Sequence, residues 1–346
     1  MDIRQLLQFA KENAASDLHL SSGAVPVVRV NGVLKKLNLP VMPDKEIREI
    51  IFPLMSAYQK KRFEEKHELD FAYELDDTAR FRINFFEQLK GIAAVFRVIP
   101  TEIRSFEELG LPEIMKSFSL RERGLVLVTG PTGCGKSATL AAMTDYINEN
   151  CAKHIITIED PIEFIHKNKK ALINQREVGL HTDTFSSALR VAMREDPDVI
   201  LVGEMRDLET VSLALTAAET GHLVLSTLHT SSAAKSIDRI IDIFPAGSKE
   251  QIRTQLSESV SAIVSQRLLP KKDGKGRMLA LEVLSVNTAV RNLIREDKIF
   301  QLPSIIQAST QQGMMNMDMS LVDLLQKGLI SRDEAMKIAE DPSKMK

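Results

Sequence analysis

The sequence predicts two folded parts: a small α+β unit over residues 1–100 and an α/β domain with a mostly parallel sheet over residues 121–346, joined by a linker at 101–120. Three observations carry this. From Gly124 onward, short and continuously apolar runs alternate with helical segments, as buried parallel strands covered by helices on both faces do. One of those runs leads straight into Gly130-Pro131-Thr132-Gly133-Cys134-Gly135-Lys136-Ser137 and then into a helical segment. The first hundred residues mix helical stretches with strand-like runs and lack that rhythm.

In chain order, residues 1–20 read as an amphipathic helix, with Ile3, Leu6, Leu7 and Ala10 at helical spacing and no basic segment ahead of an apolar one that would make a secretory leader. Val27 to Val30, Asn31-Gly32 and Val33 to Leu37 form a hairpin pattern, because Asn-Gly supplies the two positive-φ residues of a type I′ turn. A helix is expected over Pro43 to Tyr58, then strands at Leu69–Leu75, Arg80–Glu87 and Ile92–Ile99. Pro100, Gly110 and Pro112 among charged residues mark the linker. Beyond it, strands are expected at Leu125–Thr129, Ile155–Ile158, Val199–Val202 and Leu223–Leu228, and Phe185, Ala188, Leu189, Ala192 and Met193 trace one helical face. The final third reads as mostly helical, from Lys249 to Leu268 and again from Asn287.

The 346 residues are 44% hydrophobic, enough for sizeable cores, and the formal net charge of -2 gives no basic excess to suggest nucleic acid as a partner. The runs Lys167/Lys169/Lys170 and Lys271/Lys272/Lys275/Arg277 are short and read as solvated loops. Cys134 and Cys151 form no CxxC pair, so neither a disulfide framework nor a cysteine zinc site is on offer, and a reducing cytoplasm fits. No run approaches the ~18–20 apolar residues of a membrane span, so membrane association would come through a partner.

Residues 130–137 match G-x-x-x-x-G-K-[ST] in full, between strand LVLVT and helix SATLAAMTDYINEN. The glycines let backbone N–H groups converge on phosphate oxygens, and the helix that follows adds the positive end of its dipole. Lys136 should reach the β- and γ-phosphates of ATP, and the Ser137 hydroxyl should ligate Mg²⁺. Cys134 is expected to be a small loop residue.

Hydrolysis also needs a placed water and compensation of developing charge. In Asp196-Pro-Asp-Val-Ile-Leu-Val-Gly-Glu204 an apolar strand delivers a carboxylate at its C-terminal end, where open α/β sheets put their ligands. Glu204 is therefore the candidate for polarising water, although strand ends often carry polar residues, and the residue before it is Gly203 where a magnesium-holding Asp would be usual. Glu159, Asp160 and Glu163 make a second acidic cluster that suits Mg²⁺ or water, or equally a charged turn at Asp160-Pro161. His222 and His229 bracket a further strand; a neutral histidine there can donate to phosphate or water, or be structural.

These blocks together resemble the type II/type IV secretion ATPase superfamily. TIEDPIEF looks like its Asp box, DPDVILVGEMRD its modified Walker B segment, in which the glycine is normal, and AETGHLVLSTLHT its His box. The likeness runs from SDLHL near the start through Arg80-Phe-Arg-Ile-Asn84 to the C-terminal helices, and Ala289-Val-Arg-Asn-Leu-Ile-Arg-Glu296 is similar to the AIRNLIRE helix of the pilus-retraction branch. The resemblance implies a RecA-like P-loop NTPase domain preceded by a PAS-like domain, assembled as a homohexamer that hydrolyses ATP. It implies that Lys136 and Ser137 bind phosphate and Mg²⁺, Glu204 is catalytic, and Glu163 assists with metal or water, so that Ser137, Glu163 and Glu204 together meet Mg²⁺, partly through water. It further implies that His222 and His229 couple nucleotide state to domain position, and that Arg80, Arg82 or Arg97 reaches a neighbour's γ-phosphate. Implied partners are an inner-membrane pilus platform protein and a PilU-like paralogue. Cys134 and Ala138 stand where the family usually has Ser and Thr. Rival readings are an extension or secretion motor, a PilU-like paralogue itself, a RecA-like nucleic-acid motor, which would want a basic and aromatic strand path, and a nucleotide-binding scaffold that does not hydrolyse.

Overall fold

A computed structural model describes residues 2–30, 32–75, 79–99, 102–274 and 276–345. It divides into two compact units, one of Met1–Glu102 with Glu163–Ile165, the other of Ile103–Ile162 and His166–Lys346.

The first unit holds six strands: β1 (Ala15–Ser21), β2 (Val27–Val30), β3 (Val33–Lys36), β4 (Glu68–Leu75), β5 (Ala79–Gln88) and β6 (Gly91–Ile99). Their order is β3-β2-β1-β6-β5-β4, and every pair is antiparallel. Alternation along β5 sends Phe81, Ile83 and Phe85 into the core and leaves Arg80 and Arg82 on the opposite face. Gly32 takes φ +81°, as a primed turn requires, while Asn31 lies outside the described residues. The expected helix over residues 1–20 is shorter than its pattern suggested. It spans Ile3–Glu12, burying Ile3, Leu6, Leu7 and Ala10, and stops at Asn13 and a left-handed Ala14 (φ +49°). The chain then enters β1, in the middle of the sheet. The helix expected at Pro43 to Tyr58 is also two pieces, Asp44–Ile51 and Ala57–Lys66, because Pro53 interrupts the first and Ser56 with Gln59 caps the second.

The second unit is built on β7 (Gly124–Thr129), β8 (His154–Glu159), β9 (Leu172–Glu177), β10 (Val199–Val202), β11 (Leu223–Leu228), β12 (Val260–Pro270) and β13 (Arg277–Ser285), ordered β13-β12-β7-β11-β10-β8-β9. All neighbours are parallel except β12 and β13. Helices cover both faces, so alternate residues of one strand serve two cores: Leu125 and Leu127 pack with helices 208–219, 233–242 and 249–259, and Val126 and Val128 with helix 136–150. The continuously apolar runs are buried throughout.

Two further stretches differ from expectation. The helix predicted from Lys249 to Leu268 ends at Ser259, and Val260 begins a strand beside β7, where β-branched Val260, Ile263 and Val264 are buried. The stretch expected as linker carries short helices at Phe106–Leu109 and Ile114–Ser119, and Phe106, Leu111, Met115 and Phe118 are buried in the same core as helix 136–150. Pro100 lies outside the described residues.

Candidate nucleotide site

The loop after β7 is shaped by its glycines. Gly130, Gly133 and Gly135 take φ of +144°, +77° and +92°, which other residues adopt only with strain. At Gly130 space also forbids a side chain, since a Cβ would lie 2.4 Å from the Gln266 carbonyl oxygen and 2.6 Å from Cys134 Sγ. Lys136 begins the helix Lys136–Asn150 and is 9% exposed; its Nζ donates to the Gly130 carbonyl (2.9 Å) and the Pro131 carbonyl (3.2 Å). The ammonium is therefore held inside the loop. Pro131 and Thr132 are exposed, and Ser137 is half-buried in the first helical turn. The Cys134 thiol is buried, and burial pushes its pKa up, so it is an inert packing group.

Neighbouring strands bring the other groups to the same edge. In register, Thr129 of β7 stands beside Leu228 of β11, and Val202 of β10 beside Ile158 of β8. The loops after these strands thus carry the Lys136 loop, His229, Glu204 and Asp160 in one row along the carboxyl ends of the sheet, where ligands of such sheets bind. The turn before Glu204 is pinned: Gly203 N–H donates to the Ile158 carbonyl (2.8 Å), and the Thr227 hydroxyl donates to the Gly203 carbonyl (2.7 Å).

Glu204 is mostly covered, its side chain 18% exposed, with Arg206 Nη2 2.7 Å from one carboxylate oxygen and His229 Nε2 3.3 Å from the other. Burial alone would raise its pKa, but the guanidinium and the imidazole outweigh it and hold the carboxyl below the usual range. Glu204 is thus ionised and oriented from both sides. Arg206 did not emerge from the sequence, although it stands two residues on.

The other predicted residues divide. In the acidic segment, Glu159 accepts from the Thr157 hydroxyl (2.7 Å) and from Gln175 Nε2 (3.3 Å), while Asp160 and Glu163 are exposed. Buried Glu177 accepts the Ile162 N–H at 3.0 Å, fixing the backbone beyond the cis Asp160–Pro161 bond. His222 is not gathered into the site. It precedes β11, its Nδ1 lies 2.9 Å from the Ala217 carbonyl oxygen, and its own carbonyl accepts from Gly124 N–H at the start of β7. That is the amino edge of the sheet, about 20 Å from His229 at 3.3 Å per residue over β11. The arginines occupy the polar face of the first sheet, with Arg82 and Arg97 as cross-strand partners. Each has an acid: Arg80 Nη1 lies 3.3 Å from Glu74, Arg82 Nε 3.5 Å from Asp70, and Arg97 Nε 2.9 Å from buried Asp17. Among the described residues no group of three or more His, Cys, Asp and Glu is gathered that could hold a metal ion.

A glycine loop closing on a lysine at a helix start, in a parallel sheet whose adjacent strand ends present a carboxylate, defines a P-loop nucleotide-binding protein. Within that class, residues 1–292 match the model of the type II/IV secretion system protein family, and the chain belongs to that family. It is 55% identical, over 99% of both chains, to the type IV pilus retraction ATPase PilT of Pseudomonas aeruginosa. To the type IV pilus ATPase PilU of the same organism it is 42% identical, over 100% of this chain and 91% of that one. Among solved structures it is similar to the pilus retraction motor PilT with bound ADP, at a TM-score of 0.93 and 48% identity, covering 99% of this chain and 98% of that one.

Proposed function

We propose that this chain is an ATP-hydrolysing motor that retracts type IV pili. The observation that carries the reading is the row of Lys136 loop, His229 and Glu204 along one sheet edge, in a chain 55% identical over its length to a retraction ATPase. The lower identity to PilU, 42%, favours retraction by the dominant motor over that paralogue.

The residues take these parts. Gly130, Gly133 and Gly135 bring backbone N–H groups to the phosphates, and Lys136 supplies the point charge. Mg²⁺, when bound, neutralises charge on the β- and γ-phosphates. The Ser137 hydroxyl would hold it, with Glu204 acting through water, as this ion takes few protein ligands. Glu163, which is exposed, would assist through water. Glu204, ionised, orients the attacking water, and His229 beside it senses the γ-phosphate. His222, at the far edge, has no direct route to the phosphates within one chain.

The homohexamer completes the site in trans. Arg82 and Arg97, neighbours on one exposed face, suit reaching a second copy better than Arg80, whose side chain is 11% exposed. Residues 106–118 are packed into the second unit's core, so of the expected linker at 101–120 only the residues around Glu102–Ser105 are left to act as a hinge. Nucleotide-dependent contacts across copies convert hydrolysis into movement, passed to an inner-membrane platform protein at the pilus base, with a PilU-like paralogue as a second partner. No helix among the described residues is long and apolar enough to cross a membrane; the proposed place of the motor is the cytoplasmic side of the inner membrane, as a peripheral component at the pilus base.

Gene deletion tests direction. Loss of retraction leaves long surface pili and abolishes twitching, whereas absence of surface pili in the deletion strain would mean that the chain drives extension.

A further inference from the structure

The phosphate loop is held from behind by one residue of β12. Gln266 is 1% exposed, and its backbone abuts the loop's entry, where its carbonyl oxygen leaves no room for a Cβ on Gly130. Its side chain reaches the loop's exit, where Nε2 donates to the Cys134 carbonyl at 2.7 Å. The Thr139 hydroxyl, in the helix after the loop, donates to Gln266 Oε1 at 3.0 Å. That second bond fixes which end of the amide faces Cys134, since only the NH₂ end can donate.

A trans peptide is planar, with its C=O and N–H pointing in opposite directions. Anchoring the Cys134 carbonyl toward β12 therefore aims the Gly135 N–H away from it, as a donor to an anion on the loop's other side. We propose that Gln266 is a positioning residue for nucleotide binding, which sets the Cys134–Gly135 peptide for phosphate through a bond on each side of its amide. It rests on the reading that this loop binds a nucleotide. Gln266 shares no hydrogen bond with Glu204 or His229, so its part is in affinity rather than in the chemical step.

The experiment measures ADP binding and steady-state ATP hydrolysis by the full chain, as wild type, Gln266→Glu, Gln266→Met and Thr139→Val. Wild-type binding of ADP is the control: its failure would remove the nucleotide reading itself. Given that control, Gln266→Met loses both bonds and leaves a buried carbonyl unsatisfied, which lowers ADP affinity and raises KM about tenfold while kcat stays within about threefold. Gln266→Glu sets a carboxylate against the Cys134 carbonyl near pH 8 and loses affinity similarly. On acidification it gains an O–H donor and recovers, relative to wild type at the same pH, whereas Gln266→Met does not. If Gln266→Met fails to fold, Thr139→Val, which frees the amide to turn, carries the test with a smaller loss of about threefold. ADP affinity unchanged in the folded variants, or kcat falling with KM constant, overturns the proposal.

Discussion

The two halves of the proposed charge machinery are built on opposite plans. The phosphate loop is braced within its own chain: Lys136 is buried against two carbonyls, Gln266 holds the loop's exit, and the strand behind is wholly covered. The arginine face of the first sheet is open; Arg97 is 65% exposed in its side chain and rests on Asp17, and Arg82 leans on Asp70 at 3.5 Å. The exposed Arg82–Asp70 pair is of a kind worth about 0–1 kcal/mol, while Arg97 pairs with a carboxylate that is itself buried. The cradle is preorganised, whereas Arg82 can change partner at little cost. That is the division expected if binding belongs to one copy and charge compensation to its neighbour.

The largest effect should come from the acid on the braced side. Glu204→Gln keeps size and one acceptor oxygen but loses the charge, so turnover falls by roughly 10²–10⁴-fold while ADP affinity holds. Near-normal turnover by this variant would remove Glu204 from its role. Lys136→Ala should instead weaken ADP binding about 100-fold, through loss of charge-assisted contacts.

The contrast between halves is broken or kept by mixing. A variant with both Arg82 and Arg97 changed to Ala should bind ADP as wild type does but turn over slowly. Combined with inactive Lys136→Ala, it should regain part of the activity, because some junctions then pair an intact loop with intact arginines. A mixture as inactive as its components would place both groups in the same copy.

A smaller effect concerns stability. Glu282 on β13 is 5% exposed, accepts the Ala233 N–H at 2.6 Å, and is pushed up to about 7 by burial. A carboxyl raised above its ordinary 4.5 binds its proton more tightly folded than unfolded. Stability therefore falls as pH rises from about 4.5 to 7 and is level beyond. Glu282→Gln keeps an acceptor for Ala233 and should flatten that slope, gaining up to roughly 3 kcal/mol at pH 8. Denaturant melts at pH 5 and pH 8 check it, and equal slopes in both proteins would refute it. Smallest of all, Cys134→Ser should change ADP affinity by less than about threefold, since the loop meets anions with its backbone.

The loop and Glu204 were legible because their chemistry is local: glycines and a lysine at fixed spacing, and an acid at the end of an apolar run. The histidines show the limit of such reading. Two residues bracketing a strand look alike in sequence, yet in a parallel sheet only the one at the carboxyl end faces the ligand, and His222 is the other. Gln266 was hidden because the run from Val260 continued a helical pattern out of residues 249–259, and its strand character comes from burial beside β7. The pairing of Arg206 with Glu204 depends on how the turn after Gly203 is pinned by Thr227, a contact across 24 residues.

The antiparallel end of the large sheet has a consequence for how copies meet. On β13 the Leu281 N–H is taken by the Ser320 hydroxyl at 3.0 Å, and Val283 exchanges both backbone bonds with Met315. An uncovered border strand invites another chain to add on, and this one is stoppered by its own polypeptide at those positions. At those positions β13 is closed to strand addition by a second copy, so contacts made there between copies fall to side chains, which can slip and re-form where a continuous ribbon would lock.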